Sequence, residues 1–284
     1  MLQDQIRLTI LTALFTDDTL CRRLVLKGGN ALTLVYGVGD RTSLDLDFSI
    51  AGDFDDLHDI RTRIERALVT AFDRQDIEVF EFSMEPKPSV RVKPWWGGYL
   101  AEFKLIPRLA PGSPTSDLRG KRMRALTVSP GSQNRKYRIE ISRFEYVSGS
   151  DARRIGDADI VVYSPVLLAA EKLRALVQQH PEYPEIPLRM KRSRSRDLYD
   201  IWVLSDYFAI KLEEHDAVVR AVFAAKHVDV ALLSRFREIE ALHQGDWADV
   251  ENSVSRPIED FRFYYDFVAT IAAALYAKWE VDAP

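Results

Sequence analysis

The sequence is poor in cysteine and has no long apolar run. Cys21 is the single cysteine among 284 residues, so no disulfide can form within the chain, as is typical of proteins in a reducing compartment. No segment reaches the roughly 18 consecutive apolar residues that a membrane-spanning helix needs. The first residues, Met1 to Gln5, include an acid and no apolar signal core. We therefore expect a cytoplasmic protein that is not secreted and has no membrane partner.

An excess of positive charge is also absent. The 39 Lys and Arg residues are outnumbered by 43 Asp and Glu residues, so the formal net charge is −4, which excludes a uniformly basic nucleic-acid binder. The basic residues nevertheless form two clusters, one of Arg119, Lys121, Arg122, Arg124, Arg135, Lys136, Arg138 and Arg143, and the other of Arg189, Lys191, Arg192, Arg194 and Arg196. Such clusters can attract phosphate groups, although a run of charges is more often a solvated surface.

Two common nucleotide-binding motifs are missing as well. The sequence contains no G-x-x-x-x-G-K-[ST] motif, which disfavours a P-loop ATPase. Gly37-Val38-Gly39 is not a dinucleotide-binding motif, because Thr42 stands where the third glycine is needed. A Rossmann oxidoreductase is therefore disfavoured too.

The hydrophobic pattern changes at about residue 160. Before it, period-2 alternation and short apolar runs predict strands, and 3.6-residue periodicity predicts helices. The predicted strands are 24–26, 43–50, 77–82, 99–106 and 137–143, and the predicted helices are 2–15, 30–36 with Asn30 as N-cap, and 55–72. Beyond it, helices are predicted at 165–179, from Ser195 onward, and at 211–225, 230–242 and 257–279. The chain is thus predicted to be α+β, with an α/β domain at 1–160 and a helical domain at 161–284.

Asp45-Leu46-Asp47 is the sharpest local feature. On a strand, the side chains of residues i and i+2 point to the same side, roughly 6.6 Å apart. Two carboxylates so placed repel each other and favour a cation, and Mg²⁺ prefers carboxylate oxygens while it leaves positions open for phosphate. Taken alone, such a pair is more often two solvated acids on a surface strand.

Upstream of this pair, Lys27-Gly28-Gly29-Asn30 joins an apolar strand to a short helix. Glycines allow backbone N–H groups to approach a phosphate closely, and a helix N-terminus adds positive potential. An ordinary strand-to-helix turn is the simpler interpretation of these four residues alone.

Together the two motifs resemble those of a known family. K-G-G-x-A-L at 27–32, followed by R-x-S-x-D-L-D-F at 41–48, is similar to the AbiEii/AbiGii abortive-infection toxins, which include the mycobacterial MenT toxins. These toxins are polymerase-β-like nucleotidyltransferases, so the resemblance implies a mixed sheet with helices and an NTP substrate. It also implies that Asp45 and Asp47 hold Mg²⁺, or alternatively Mn²⁺. The residues that it implies for nucleotide binding are Lys27, Gly28, Gly29, Arg41 and Ser43.

The family also carries a lysine and an R-D-x-x-D motif in its helical half. Lys172 has apolar residues at i±3 and i±4 of its predicted helix, so it either extends its ammonium group to water or has a functional role. The resemblance assigns it to the catalytic residues, in contact with the triphosphate.

The second motif begins at Arg196 and includes Asp197 and Asp200, and Ser195 is a candidate cap for its helix. Arg196 and Asp200 are also spaced as an ordinary surface pair. The resemblance implies that Asp197 is catalytic, with Asp200 and Arg196 as additional site residues.

Glu140 is a third candidate carboxylate. It lies between Ile139 and Ile141 on a predicted strand, where polymerase-like relatives carry an Asp as catalytic base. Here it could reach the metal or pair with a neighbouring arginine.

The resemblance implies a toxin of a toxin–antitoxin system that transfers NMP from an NTP to an acceptor hydroxyl, in a cleft between the two domains. The 3′ end of tRNA is the expected acceptor, and a cognate antitoxin protein or its regulatory product is the expected partner. Two alternatives stay open: the same fold acting on a small molecule or a protein hydroxyl, and a nucleotide-binding module without turnover. Steep salt dependence would indicate RNA binding, and pyrophosphate release would indicate turnover.

Overall fold

A mixed β-sheet forms the first structural layer of the protein. The computed structural model describes residues 3–38, 45–89, 93–109, 117–186 and 188–281. Its strands are β1 (Val25–Lys27), β2 (Leu46–Ser49), β3 (Ile77–Lys87), β4 (Gly98–Pro107), β5 (Tyr137–Ser142), β6 (Ser150–Ile155) and β7 (Ala158–Tyr163). They form one sheet in the order β3-β4-β5-β2-β1-β7-β6. β2 is parallel to β5 and β1 is parallel to β7, whereas β1 with β2, β3 with β4, and β4 with β5 are antiparallel.

Helices follow the strands and make up most of the second half of the chain. The α-helices are α1 (Gln3–Phe15), α2 (Gly28–Asn30), α3 (Leu57–Asp73), α4 (Leu118–Arg124), α5 (Pro165–Val177), α6 (Ser195–Phe208), α7 (Asp216–Ala225), α8 (Glu240–Gln244), α9 (Trp247–Ser253) and α10 (Phe261–Val281). A π-helical turn, Ala31–Val35, extends α2. Three 3₁₀ segments lie at Leu188–Met190, Leu212–His215 and Val230–Ile239.

Helix α3 packs against one face of the sheet and buries it. Its apolar residues Ile60, Ile64, Leu68 and Phe72 recur every four positions and are all buried, so one stripe of the helix packs against α1 and β3. The carboxylate of Asp56 caps its first turn by accepting hydrogen bonds from the backbone N–H groups of residues 58 and 59. This packing leaves the opposite face of the sheet to polar side chains.

Alternation along β2 and β5 orients the candidate carboxylates. On β2, Leu46 and Phe48 are buried, with 1% and 0% exposure, while Asp47 points the other way and is half-buried. On β5, the buried residues are Ile139 and Ile141, and Glu140 faces the opposite side. Because the strands are paired in register, Asp47 and Glu140 are neighbours on the polar face.

The helical half has its own core. Ser164 caps α5 by accepting a hydrogen bond from the backbone N–H of Leu167, and Pro165 occupies the first turn, where its missing N–H costs nothing. α5 packs against α6 and α7, while α10 packs against α6 and Val230–Ile239. Aromatic side chains such as Tyr264 and Tyr265, with 2% and 0% exposure, fill the space between these helices.

The chain divides into two compact units. One contains the described residues within 1–35, 43–144 and 152–162, and the other contains those within 36–42, 145–151 and 163–284. In the second unit, Glu145 is buried and its Oε1 lies 3.1 Å from Lys226 Nζ. Its Oε2 lies 3.9 Å from Arg174 Nη2, so this carboxylate joins the segment after β5 to α5 and to the end of α7. The functional division at residue 160 stays a prediction.

The predicted α+β class, with a mixed sheet and a helical C-terminal part, is confirmed. β6 and β7 were not predicted: the polar β6 does not alternate, and no strand was expected after residue 143. α4 and α9 were not predicted either, and the predicted helix at 211–225 is divided into a 3₁₀ segment and α7. None of the helices among the described residues combines the length and apolarity needed to cross a membrane.

Replacing Glu145 by Ala should lower the free energy of unfolding by about 3 kcal/mol, because it removes the carboxylate from two buried cations. Denaturant unfolding followed by tryptophan fluorescence would measure the change. The control is Asp159→Ala, which breaks an exposed ion pair with Arg154. The side chain of Arg154 is 62% exposed and that of Asp159 is 77% exposed. That change should cost less than about 0.5 kcal/mol, and equal costs for both variants would contradict the structural role of Glu145.

Candidate active site

The glycine turn lies directly against the second aspartate of the D-x-D motif. Lys27, the last residue of β1, pairs with Asp47 on β2, and the chain turns at Gly28 with a φ of +71°. A Cβ atom on Gly28 would lie 2.5 Å from Asp47 Oδ2. Only glycine allows both this backbone conformation and this close approach. The structure thus brings together the two motifs that the sequence analysis singled out.

Asn30 ties this turn to the start of β2. The side chain is fully buried, and its Nδ2 donates a hydrogen bond to the backbone carbonyl of Asp45 at 2.6 Å. The prediction that Asn30 caps a helix is wrong, because α2 begins at Gly28 and Lys27 holds the N-cap position. The role of Asn30 was not predictable, since nothing in the motif distinguishes a helix cap from a side chain that links the turn to the strand.

Asp45, Asp47 and Glu140 are three acids on or beside two neighbouring strands: Asp47 and Glu140 are register neighbours, and Asp45 immediately precedes β2. Burial and the nearby Glu140 raise the pKa of Asp45, while Arg138 and Lys87 act in the opposite direction. Glu140 accepts a hydrogen bond from Lys87 Nζ at 2.7 Å. The expected alternative partner was an arginine, so the structure corrects that interpretation to Lys87.

The two aspartates suit a hard divalent cation. Mg²⁺ is usually bound through one or two carboxylates together with substrate phosphates and water, and Asp45 and Asp47 supply that number beside a turn that leaves room for no side chain. In the described part of the chain, no group of three or more His, Cys, Asp or Glu side chains is arranged to hold a metal ion. Arg41 and Ser43, which were predicted to bind nucleotide, lie outside the described residues, and Gly29 follows Gly28 in the turn.

Lys172 is at the centre of a second cluster, in the helical unit. Its Nζ lies 3.0 Å from Asp197 Oδ1 and 2.7 Å from Asp200 Oδ2. All three side chains are buried, with 6%, 8% and 5% exposure for the lysine and the two acids in turn. The interpretation that Lys172 extends to water is therefore wrong: its ammonium group is held inside the protein by two carboxylates.

Arg194, rather than Arg196, completes this cluster. Arg194 Nε donates a hydrogen bond to Asp197 Oδ2, whereas Arg196 is exposed. The alternative of a surface pair between Arg196 and Asp200 is wrong, because Asp200 is buried against Lys172. Burial alone would raise the pKa of Asp197, but Arg194 and Lys172 outweigh it and hold the pKa well below its usual range.

The start of α6, which carries Asp197, is fixed by a polar group behind it. The hydroxyls of Ser193 and Ser195 donate hydrogen bonds to the carboxylate of Asp246 and to the backbone carbonyl of His243. The Nδ1 atom of His243 accepts a hydrogen bond from the backbone N–H of Arg194 at 3.2 Å. Ser195 is therefore not the N-cap that the sequence suggested, since Arg194 holds that position without a side-chain cap.

Gly28→Ala should lower the free energy of unfolding by about 1–2 kcal/mol, because an alanine would be strained in the left-handed conformation. It should also displace the Asp47 carboxylate, which a Cβ would approach to 2.5 Å. Thermal unfolding measures the first effect. Gly52→Ala is the matched control, because a Cβ there meets nothing within 4 Å. A Gly28→Ala protein as stable as the Gly52→Ala protein would show that the turn tolerates a side chain.

The stability of the helical unit should fall as the pH drops below about 6.5. Burial lowers the pKa of His243 from 6.5 to about 4, so between these values the unfolded chain takes up a proton that the folded protein does not. Stability is thus complete above pH 6.5 and should fall by roughly 2 kcal/mol by pH 5.

Denaturant unfolding at several pH values checks this dependence. His243→Gln should flatten the slope between pH 6.5 and 5, whereas His215→Gln, at an exposed position, should leave the slope unchanged. An unaltered slope in the His243 variant would assign the pH dependence to other groups.

Two solved structures are similar to this chain. Among solved structures, the chain is similar to MenT4, a nucleotidyltransferase toxin from Mycobacterium tuberculosis, at 16% identity and a TM-score of 0.46, over 96% of this chain and 82% of that chain. It is also similar to an antigenic nucleotidyltransferase-like protein from Paracoccidioides brasiliensis, at 14% identity and a TM-score of 0.31, over 78% of this chain and 96% of that one. No curated protein matches the chain.

A family model spans most of the chain. The model is described as "Nucleotidyl transferase AbiEii toxin, Type IV TA system", and it matches residues 9–269. The protein therefore belongs to the AbiEii family of nucleotidyltransferase toxins of type IV toxin–antitoxin systems.

Proposed function

We propose that this nucleotidyltransferase transfers NMP from an NTP to the 3′-terminal hydroxyl of a tRNA, with release of pyrophosphate. The observation that carries the proposal is the contact between the glycine turn and the D-x-D strand, in which Gly28 leaves room for the Asp47 carboxylate. A triphosphate bound there would lie between the backbone of the glycine turn and the carboxylates. This is the combination that binds a metal–nucleotide complex.

Asp45 and Asp47 would hold Mg²⁺, or alternatively Mn²⁺. When bound, the ion neutralises phosphate charge and lowers the pKa of the attacking hydroxyl. The backbone of Gly28 and Gly29 would lie against the phosphates, and Lys27, which is 8% exposed, would add a fixed positive charge at the base of the turn. By the resemblance to the family, Arg41 and Ser43 would bind the same nucleotide.

Lys172 would stabilise the charge that develops on the leaving pyrophosphate. Asp197 and Asp200 hold its ammonium group at 3.0 and 2.7 Å, so its position is fixed before the substrate arrives. Such preorganisation is what makes an electrostatic contact effective in a transition state. Asp197 would therefore act by positioning Lys172, and Arg194 by holding Asp197.

A tRNA acceptor is supported by the first basic cluster, although part of its charge is already compensated. Lys121 pairs with Glu78 at 2.8 Å, and Lys136 and Arg138 each lie 3.0 Å from Glu102. Phosphates of an RNA would compete for these cations, so binding should weaken steeply with salt. The proposed setting is the cytoplasm, where NTPs and tRNA are found and where a cognate antitoxin, or its regulatory product, would restrain the activity.

Incubation of the protein with total tRNA, Mg²⁺ and each labelled NTP in turn tests the proposal. Label should appear on tRNA with at least one NTP, and Asp47→Asn should reduce the rate by about 10²–10³-fold, because it removes a charge that the reaction needs. Asp159→Asn, at an exposed position on β7, is the matched control and should retain the full rate.

Each other result would favour a different function. Label on the protein itself or on a small molecule would show that this molecule, and not tRNA, is the acceptor. Bound NTP without any pyrophosphate release would indicate a nucleotide-binding module without turnover and would overturn the proposed reaction.

A further inference from the structure

Lys87 crosses one strand of the sheet to reach Glu140. It is the last residue of β3 and pairs with Gly98 on β4, while Gly98 in turn pairs with Ser142 on β5. The Lys87 side chain therefore spans β4 at a residue without a side chain, and its Nζ lies 2.7 Å from Glu140 Oε1. The cation next to Glu140 on β5 thus comes from β3, which is two strands away in the sheet.

Glu140 is the carboxylate that connects Lys87 with the two aspartates. It is the register neighbour of Asp47 on the adjacent parallel strand, and its charge also acts on Asp45. A lysine that neutralises Glu140 therefore lowers the repulsion that both aspartates experience. A divalent cation at Asp45 and Asp47 would also lower this repulsion, so the ammonium group and the metal would neutralise the same negative charge.

We propose that Lys87, as the counter-ion of Glu140, competes with a divalent cation at Asp45 and Asp47, so that Lys87 sets the metal affinity of the site. This inference rests on the proposed role of Asp45 and Asp47 as metal ligands. Two positive charges next to one carboxylate repel each other, so the cost of displacing Lys87 lowers the affinity of the site for the metal. The side chains of Lys87 and Glu140 are 52% and 32% exposed, and an ion pair so open to water is weak enough for a divalent ion to break.

Binding of Mn²⁺ without nucleotide, followed by electron paramagnetic resonance at low ionic strength, tests the proposal. Lys87→Met should bind Mn²⁺ about three- to tenfold more tightly than the unaltered protein, and Lys87→Arg should restore the original affinity. Lys278→Met is the matched control, because it breaks a comparable pair with Asp216, at 2.7 Å and with 44% and 25% exposure. That change should leave Mn²⁺ binding unaltered.

Two further variants assign the effect to the right atoms. Asp47→Asn should abolish the binding, which identifies the ion as the one at the D-x-D motif. In a Glu140→Gln background, Lys87→Met should have little further effect, because the pair is already broken. Circular dichroism of each variant confirms that it is folded.

Unchanged or weaker Mn²⁺ binding in Lys87→Met would overturn the proposal, and weaker binding would instead indicate that Lys87 supports the metal site. Binding that survives Asp47→Asn would overturn it as well. The outcome is separable from that of the proposed function. Tighter Mn²⁺ binding in Lys87→Met, together with no nucleotidyl transfer by the unaltered protein, would support the role of Lys87 and contradict the proposed reaction.

Discussion

The close approach of Gly28 to Asp47 is the constraint on which the candidate site depends. Pairing of β1 with β2 places Lys27 opposite Asp47, so the turn that follows β1 must pass beside the carboxylate, where a Cβ would lie 2.5 Å away. The sheet order then brings β5 to the other side of β2. One backbone position without a side chain thereby lets the glycine turn lie against Asp47, whose register neighbour on the polar face is Glu140.

In the helical unit, the governing constraint is the cost of buried charge. An isolated ammonium or carboxylate in the interior is strongly unfavourable, whereas a paired and hydrogen-bonded set is tolerated. Lys172 meets this condition through Asp197 and Asp200, and Arg194 provides the second cation for Asp197. Because each member satisfies another, the group is rigid, and the serines and His243 at the start of α6 fix its position along the helix.

Strong local patterns made part of this structure predictable from the sequence. Alternation predicted β2 and β5, and the resemblance to the family implied that the glycine turn and the aspartates belong to one site. The contact of Lys87 with Glu140 was not predictable, because 53 residues separate them in sequence. The pairing of Asp197 with Arg194 rather than with Arg196 is local, three residues apart, but the motif gave no sign of it. β6 was missed because its polar residues carry no period, although Gly156-Asp157 before the apolar β7 was an available turn signal.

A lysine is paired with the acids of each cluster, Lys87 with Glu140 and Lys172 with Asp197 and Asp200. The two lysines differ in how deeply they are buried. Lys172 is 6% exposed, and its partners Asp197 and Asp200 are 8% and 5% exposed, so little of any of the three side chains meets water. Lys87 is 52% exposed, so water can take over its hydrogen bonds as soon as another cation binds the carboxylates. A fixed lysine suits the contact with the leaving group that is proposed for Lys172. An exposed lysine suits the competition with a divalent cation that is proposed for Lys87, and this difference in solvation follows from where each lysine lies in the fold.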